Sequence, residues 1–579
     1  MTRFSVWAPA ARREAWLSLP DREVAMTRDG GRGWWSVEVA GLDDGADYGF
    51  RLDDSPDVLP DPRSRRQPHG VHGRSRTVDP RRFHWTDQGW PGRALPGSVI
   101  YELHIGTFTP GGTFDAAIER LPDLVALGVD AVELLPVAAT AGARNWGYDG
   151  VDLYAVTENY GGPDGLVRFV DAAHGAGIAV LLDVVYNHLG PSGNYLDRFG
   201  PYFGASSTDW GQAVNLDEPG SDEVRRFVVD NALMWLRDYH LDGLRLDAVH
   251  ALRDTRATHL LEELAAAVDA LAVRLGRPLW LIAESDLNDP RLIRERTRGG
   301  YGLTAQWTDD IHHALHAALT GERQGYYVDY GPLSVLAKAL TDAFVLDGGW
   351  SHFRGRSHGR PTGDLPGSRF VACLQNHDQI GNRARGDRLA ALLEPAQLKV
   401  AAALLLCSPY TVLLFMGEEW GAGTPWQFFC DPDSAALARA TRDGRRREFA
   451  QHGWEPGDVP DPVALSTFEA SRLVWSERDR DPHREIRDWY AQLIALRRAE
   501  PCLRDDRRAR TRVDYDEAAR WLVLVRDRVV LVANLGPEPV QVPIAATPVE
   551  VLASSEPGFA YGDRSVSLRG RSALMLRTL

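Results

Sequence analysis

The chain has 579 residues, more than one ordinary domain, so about two to four domains are expected. Its composition, 44% hydrophobic and 25% charged, is that of a globular protein. A net charge of −15 argues against binding to nucleic acid or to an anionic membrane surface.

The four cysteines (Cys373, Cys407, Cys430 and Cys502) are scattered without a CxxC pair, which suits a reducing cytoplasm. The opening residues, Met1 to Trp7, lack the apolar core of a signal peptide. The apolar run from Val400 to Met416 is short for a membrane span and is broken by Ser408-Pro409. It is expected to form a buried helix, a turn and a buried strand. Arg445-Arg446-Arg447, flanked by Asp443 and Glu448, reads as a solvated loop.

Residues 1–90 carry short alternating runs such as Trp34-Trp35-Ser36-Val37-Glu38-Val39, separated by turn signals. They predict a small immunoglobulin-like β-sandwich whose aromatics pack its core. Pro60–Arg65 reads as an ordered linker. Over residues 91–502, short apolar runs alternate with amphipathic stretches. The runs are Ser98–Phe108, Ala131–Val137, Ala179–His188, Gly243–His250, Leu279–Ser285, Thr304–Asp310, Phe370–Asp378 and Tyr410–Trp420. Helical stretches such as Thr113–Leu127, Gly165–Gly177, Ser221–Tyr239 and Thr255–Leu275 lie between them. This alternation predicts an α/β fold, a (β/α)8 TIM barrel, with the sixth strand the softest assignment. A Gly-, Pro- and aromatic-rich insertion at about 187–222 is expected to cap the site. Residues 503–579 turn β again and predict a C-terminal sandwich.

Arg245 and Asp247 sit two apart in a short apolar strand and so project to one side. Such burial is costly unless the charges are paired and used. Taken alone, the pair reads equally as a structural ion pair. Other polar residues, however, gather at the C-terminal ends of the runs: Asp183 and His188, Asp247 and His250, Glu284 and Asp286, His377 and Asp378. That end is the active face of such a barrel. Asp247, Glu284 and Asp378 would then converge in one cleft. Glycoside hydrolysis requires one ionised carboxylate and one protonated acid. Arg245 would keep Asp247 ionised, and the apolar run Leu281-Ile282-Ala283 would raise the pKa of Glu284.

The blocks Asp183–His188, Gly243–His250, Ala283-Glu284-Ser285 and Asn376-His377-Asp378 resemble the four signature regions of the α-amylase family, in that family's order. The resemblance implies a nucleophile at Asp247, a general acid/base at Glu284 and a transition-state stabiliser at Asp378. It implies supporting substrate contacts at Asp183, His188, Arg245 and His377. Gly147-Tyr148-Asp149 resembles the motif whose Tyr stacks on the sugar; Trp146 beside it joins the candidate contacts. Retention of anomeric configuration, with carboxyls about 5 Å apart, is implied as well.

Further stretches, including His104–Pro110, Asp309–His313, Arg354–Arg360 and Phe415–Gly421, are similar to a narrower group within that family. Its members cleave the α-1,4 bond next to the terminal trehalose of a maltooligosyltrehalose. The implied substrate is that α-1,4-glucan and the implied product is trehalose. A maltooligosyltrehalose synthase is the implied pathway neighbour, with no physical contact implied. Asp286, Asn288, Phe353, Arg354 and Trp210 lie on loops above the barrel and are candidates for recognising the bent trehalose unit; each reads equally as loop packing. His312 and His316 are spaced like a metal pair, but no Glu follows His312 as in HExxH, and a structural or sugar-contacting role is expected. The insertion is not especially acidic and there is no phosphate-binding loop, so no metal or cofactor is expected. The rival readings are a glycogen branching enzyme and an inactive glucan-binding scaffold; the presence of all three carboxylates argues against the latter.

Overall fold

A computed structural model describes residues 2–450 and 459–579. Met1 and residues 451–458, which the sequence reading assigns to the first sandwich and the barrel, lie outside the described residues. Eight parallel strands close into a barrel, each hydrogen-bonded to the next in sequence. They are Val99–Leu103, Ala131–Leu134, Ala179–Val184, Gly243–Leu246, Trp280–Ala283, Ala305–Trp307, Phe370–Cys373 and Thr411–Phe415. All eight expected runs carry a strand, the sixth included. Each strand ends before its run does, so the polar ends of the runs lie at strand termini and in the loops beyond.

The strands are apolar on both faces because one face lines the barrel and the other meets the helices. Ala179 and Leu181 join Ile100, Ala131, Ile282, Ala305, Val371 and Leu413 in the inner cluster. Val180 and Leu182 pack outward into the larger core. Carrying this two-residue period forward puts Glu102, Glu133, Asp183 and Glu284 on the inner face. Arg245 is level with Asp183 and Ile282 across neighbouring strands, so it points inward too. The barrel is therefore filled by side chains, apolar below and charged above.

Antiparallel sheets flank the barrel. Before it, sheets of three and four strands enclose the buried Trp7 and Trp35. After it, sheets of five and three strands share a core that includes Val523, Val532, Val566 and Leu574. The segment after Pro60 is strapped to the barrel by Arg63–Asp230 at 2.9 Å, Arg65–Asp238 at 2.5 Å and Arg66–Glu158 at 2.8 Å.

The insertion contains a hairpin, Phe203–Thr208 paired with Gly211–Val214, with Trp210 at its turn. The first sandwich holds it from behind. Ala10 N–H donates to the Phe199 carbonyl at 3.0 Å. Phe50 meets Phe199 edge-on at 6.4 Å, and Trp7 meets Tyr202 at 5.1 Å.

Three local expectations change. The stretch Thr113–Leu127 is two helices, Phe114–Ile118 and Leu121–Leu127, because Pro122 starts the second. The helix expected from Thr255 starts at Leu260, where the Asp254 carboxylate accepts from Leu260 N–H at 2.6 Å while also holding Arg225. Arg445–Arg447 is not a loop but part of the helix Ala435–Ala450. Arg445 is largely covered, stacking on Phe428 and Phe449 and donating to the Gly381 carbonyl. Among the described residues, no helix is long and apolar enough to cross a membrane. Val400–Met416 is a buried helix end, a turn and a buried strand.

Candidate active site

Arg245 is the centre of the site. Its guanidinium is fully enclosed and lies 4.4 Å over the Trp307 ring. Nη1 donates to Asp183 at 2.9 and 3.0 Å and to Asp247 at 2.7 Å. Nη2 lies 3.7 Å from Glu284 Oε2 and 3.9 Å from Asp378 Oδ2. One cation thus faces four carboxylates from four strand ends. Desolvating a guanidinium is costly, and only this density of negative charge offsets it.

Asp247 immediately follows the fourth strand. Its carboxylate also accepts from Asn187 Nδ2 at 2.8 Å, and its backbone N–H donates to Val184 O at 3.0 Å. Ala248 then takes φ +39°, a left-handed conformation that costs a non-glycine residue about 1–2 kcal/mol. The turn is put to use: Ala248 N–H donates to Glu284 Oε2 at 2.6 Å. The backbone after one carboxylate therefore fixes the position of the other.

Glu284 follows the fifth strand. Burial raises its pKa, Arg245 opposes that rise, and the Asp247 and Asp378 carboxylates add to it. Asp378 sits in the first turn of the helix His377–Gly381, and its side chain is 43% exposed. It is the most open of the four carboxylates.

Tyr148, His377 and His188 complete the floor. The Tyr148 hydroxyl lies 2.6 Å from Asp183 Oδ2 and 2.7 Å from His377 Nε2. The Tyr148 and His377 rings stack at 5.3 Å. His188 Nε2 meets the Tyr148 carbonyl at 3.1 Å, and the half-exposed Trp210 stacks on the His188 ring at 5.8 Å. The insertion therefore does reach the cleft.

Two candidates do not open onto it. Trp146 is buried; its Nε1–H donates to the Gln427 carbonyl at 3.0 Å and its ring stacks on Trp426. It backs His377 rather than facing the cleft. Asn288, at φ +52°, is also buried, and its amide donates to Asp310 and to the Leu346 carbonyl, both at 3.0 Å. At the rim, Arg354 Nη2 lies 3.2 Å from Asp286 Oδ2, and Phe353 stands exposed beside Tyr326. His312 is consumed by the Leu374 carbonyl and Tyr327, and His316 by Glu322. No group of three metal-ligating side chains occurs among the described residues.

Sequence reasoning passed over Glu102 and Trp307. Glu102 Oε1 lies 2.5 Å from His377 Nδ1, and Oε2 accepts His377 N–H at 3.1 Å. A signal existed: a lone acid at an inward position of the apolar run Val99-Ile100-Tyr101-Glu102-Leu103. Trp307 gave none, because an aromatic at a strand end reads as packing.

Residues 77–215 match the family described as "Alpha amylase, catalytic domain", and residues 506–575 match a domain of unknown function, DUF3459. The chain is 57% identical to a malto-oligosyltrehalose trehalohydrolase of Arthrobacter ramosus, over 93% of this chain and 94% of that one. It is 53% identical to one of Mycobacterium tuberculosis, over 100% and 99%. A solved Salmonella typhimurium structure, provisionally assigned as an alpha amylase, superposes with a TM-score of 0.91 at 38% identity, covering 100% of this chain and 97% of that one. A 1,4-alpha-glucan branching enzyme of Bacillus caldolyticus is more distant, at 29% identity over 74% of this chain and 66% of that one.

Proposed function

The chain belongs to the malto-oligosyltrehalose trehalohydrolase family, and from that premise we propose how its cleft releases trehalose from a maltooligosyl chain. Asp247 attacks the anomeric carbon of the glucose joined through its α-1,4 bond to the terminal trehalose. Glu284 gives its proton to the departing trehalose oxygen. The maltooligosyl chain is left as an ester on Asp247. Glu284, now ionised, takes a proton from water, and the hydroxyl displaces Asp247 with net retention. Asp378, Asp183, Tyr148, His188 and His377 hold the sugar and face the positive charge that develops on its ring.

The observation that carries these roles is the asymmetry between two carboxyls. Asp247 accepts hydrogen bonds from Arg245 at 2.7 Å and Asn187 at 2.8 Å, which hold its carboxylate in place. Glu284 lies beyond hydrogen-bond reach of the same guanidinium, at 3.7 Å, and burial pushes it toward the protonated form. A pair held apart in this way is an acid and a nucleophile.

The rim supports recognition of the trehalose unit by Asp286, Phe353, Arg354 and Trp210. The substrate terminus must be supplied by an enzyme that converts a glucan's reducing end to trehalose. The four free thiols support a reducing, cytoplasmic location. Incubating the purified protein separately with maltooligosyltrehalose and with amylose tests the activity. Trehalose release is expected. New α-1,6 bonds in the amylose without trehalose would overturn the reading in favour of glucan transfer.

A further inference from the structure

We propose that Glu102 is a positioning residue that holds His377 as an imidazolium in the glycosidase site. This rests on the reading above and adds to it a group outside the signature blocks.

The hydrogen-bond geometry constrains where the protons sit. Glu102 and His377 are both enclosed, at 1% exposure each. Glu102 takes two contacts from one partner, His377 N–H at 3.1 Å and His377 Nδ1 at 2.5 Å. A carboxylate only accepts, so Nδ1 carries a proton. The other ring nitrogen, Nε2, lies 2.7 Å from the Tyr148 hydroxyl, which lies 2.6 Å from Asp183 Oδ2. Tyr148 has one proton to give. Both Asp183 oxygens accept from Arg245 Nη1, at 2.9 and 3.0 Å, and above about pH 7, the value to which burial raises it, Asp183 is an ionised acceptor to which Tyr148 donates. Nε2 must then donate to Tyr148. Both ring nitrogens are protonated, and every partner in the chain from Glu102 through His377 and Tyr148 to Asp183 is satisfied. With Asp183 ionised, a neutral ring would leave Tyr148 and Asp183 oxygens facing each other with no proton between them.

The remaining charged and titratable groups around His377 are accounted for. Asp378, on its own helix, has Oδ2 3.4 Å from Nε2 and favours the cation. Arg245, from the fourth strand, disfavours it. His104, immediately after the first strand, is neutral because burial lowers it to about 3. Glu133 stands level with Glu102 on the second strand, and burial together with Glu102 pushes it far up, so it is neutral. The rings of Trp146 and Trp307 close the rest. Burial by itself would lower His377, but Asp378 and Glu102 outweigh it and carry it to about 9. His104 is the internal control. It lies two residues beyond Glu102 and is equally buried, but its ring nitrogens meet only hydroxyls and the Asn145 carbonyl. The difference between the two histidines is a pair of carboxylates, Asp378 and the hydrogen-bonded Glu102.

The full-length enzyme and its Glu102→Gln variant test this from pH 5 to 10 with α-maltosyl fluoride. Fluoride leaves without a proton from Glu284, so the alkaline limb of the first step does not report that acid. Glutamine keeps an acceptor for Nδ1–H and removes the charge. The ratio of kcat/KM at pH 8 to that at pH 5 is expected to fall at least tenfold, and Glu102→Asp should restore part of it. The His377 resonance, assigned in histidine-labelled protein by its loss in His377→Gln, should titrate above pH 8 in the wild type. It should titrate at least two units lower in Glu102→Gln. An equal loss at both pH values, or a wild-type His377 midpoint at or below 6.5, would overturn the proposal. The resonance is read without turnover, so a failure of the glycosidase reading would leave it standing as a separate result.

Discussion

On the floor of the cleft, Arg245 is fully enclosed and lies within 3.9 Å of four carboxylates. At the rim, Arg354 pairs with one carboxylate, Asp286, and lies 5.7 Å over the ring of Phe353, which is 51% exposed. The floor residues sit on strand ends whose direction is fixed by the two-residue period of the barrel. The rim residues sit on loops that no strand register constrains. Removing one charge on the floor leaves its buried partners less compensated, at a cost of up to about 3–5 kcal/mol. Rim contacts are partly solvated, and an ion pair there contributes about 1 kcal/mol or less to stability. The floor can therefore fix a reaction, while the rim can only bias which substrate undergoes it.

The sharpest break in that comparison is Asp247→Asn. It should lower kcat/KM for trehalose release by about 10⁴-fold or more with the circular dichroism spectrum unchanged. Survival of activity would dissolve the division of roles. Next is Glu284→Gln, with an expected loss of about 10²–10⁴-fold on maltooligosyltrehalose. The enzyme needs Glu284 protonated, so wild-type activity should fall as pH rises through its raised pKa, and this limb should vanish in the variant. With α-maltosyl fluoride, the first step in that variant should be largely restored; an equal loss on both substrates would remove Glu284 from the acid role. At the rim, Arg354→Ala should change the ratio of trehalose release to maltose release about tenfold, equivalent to roughly 1–2 kcal/mol, through KM more than kcat. The smallest effect is expected for Trp210→Ala, a rise in KM of about three- to tenfold from a lost stacking contact. A drop in kcat there, at constant KM, would move Trp210 from the rim to the floor.

The same division sets what could be read before the fold was seen. The eight strands were legible because a barrel strand is apolar on both faces and short. Asp247, Glu284 and Asp378 were legible because each interrupts an apolar run near its C-terminal end. Asn288 and Trp146 were misplaced for a common reason: both sit in polar, motif-like loops, and sequence spacing cannot show which way a loop residue turns. Asn288 turns inward to Asp310 and Leu346, and Trp146 turns back onto Trp426. Arg445 looked solvated because a run of arginines usually is. Its environment is supplied by Phe428 and Gly381, distant in sequence, and by Phe449 one turn on, which is local only if the run is helical.

The leading sandwich touches none of the four carboxylates, yet it grips the insertion that carries Trp210, through Ala10 and Phe199, Trp7 and Tyr202, Phe50 and Phe199. It works as a bracket, holding a lid at a set height above a cleft it never enters. Swapping it for the equivalent module of a related enzyme would leave bond cleavage intact while retuning which chain ends fit beneath the lid. Selectivity in this molecule can therefore be inherited, or lost, through a part that holds no substrate.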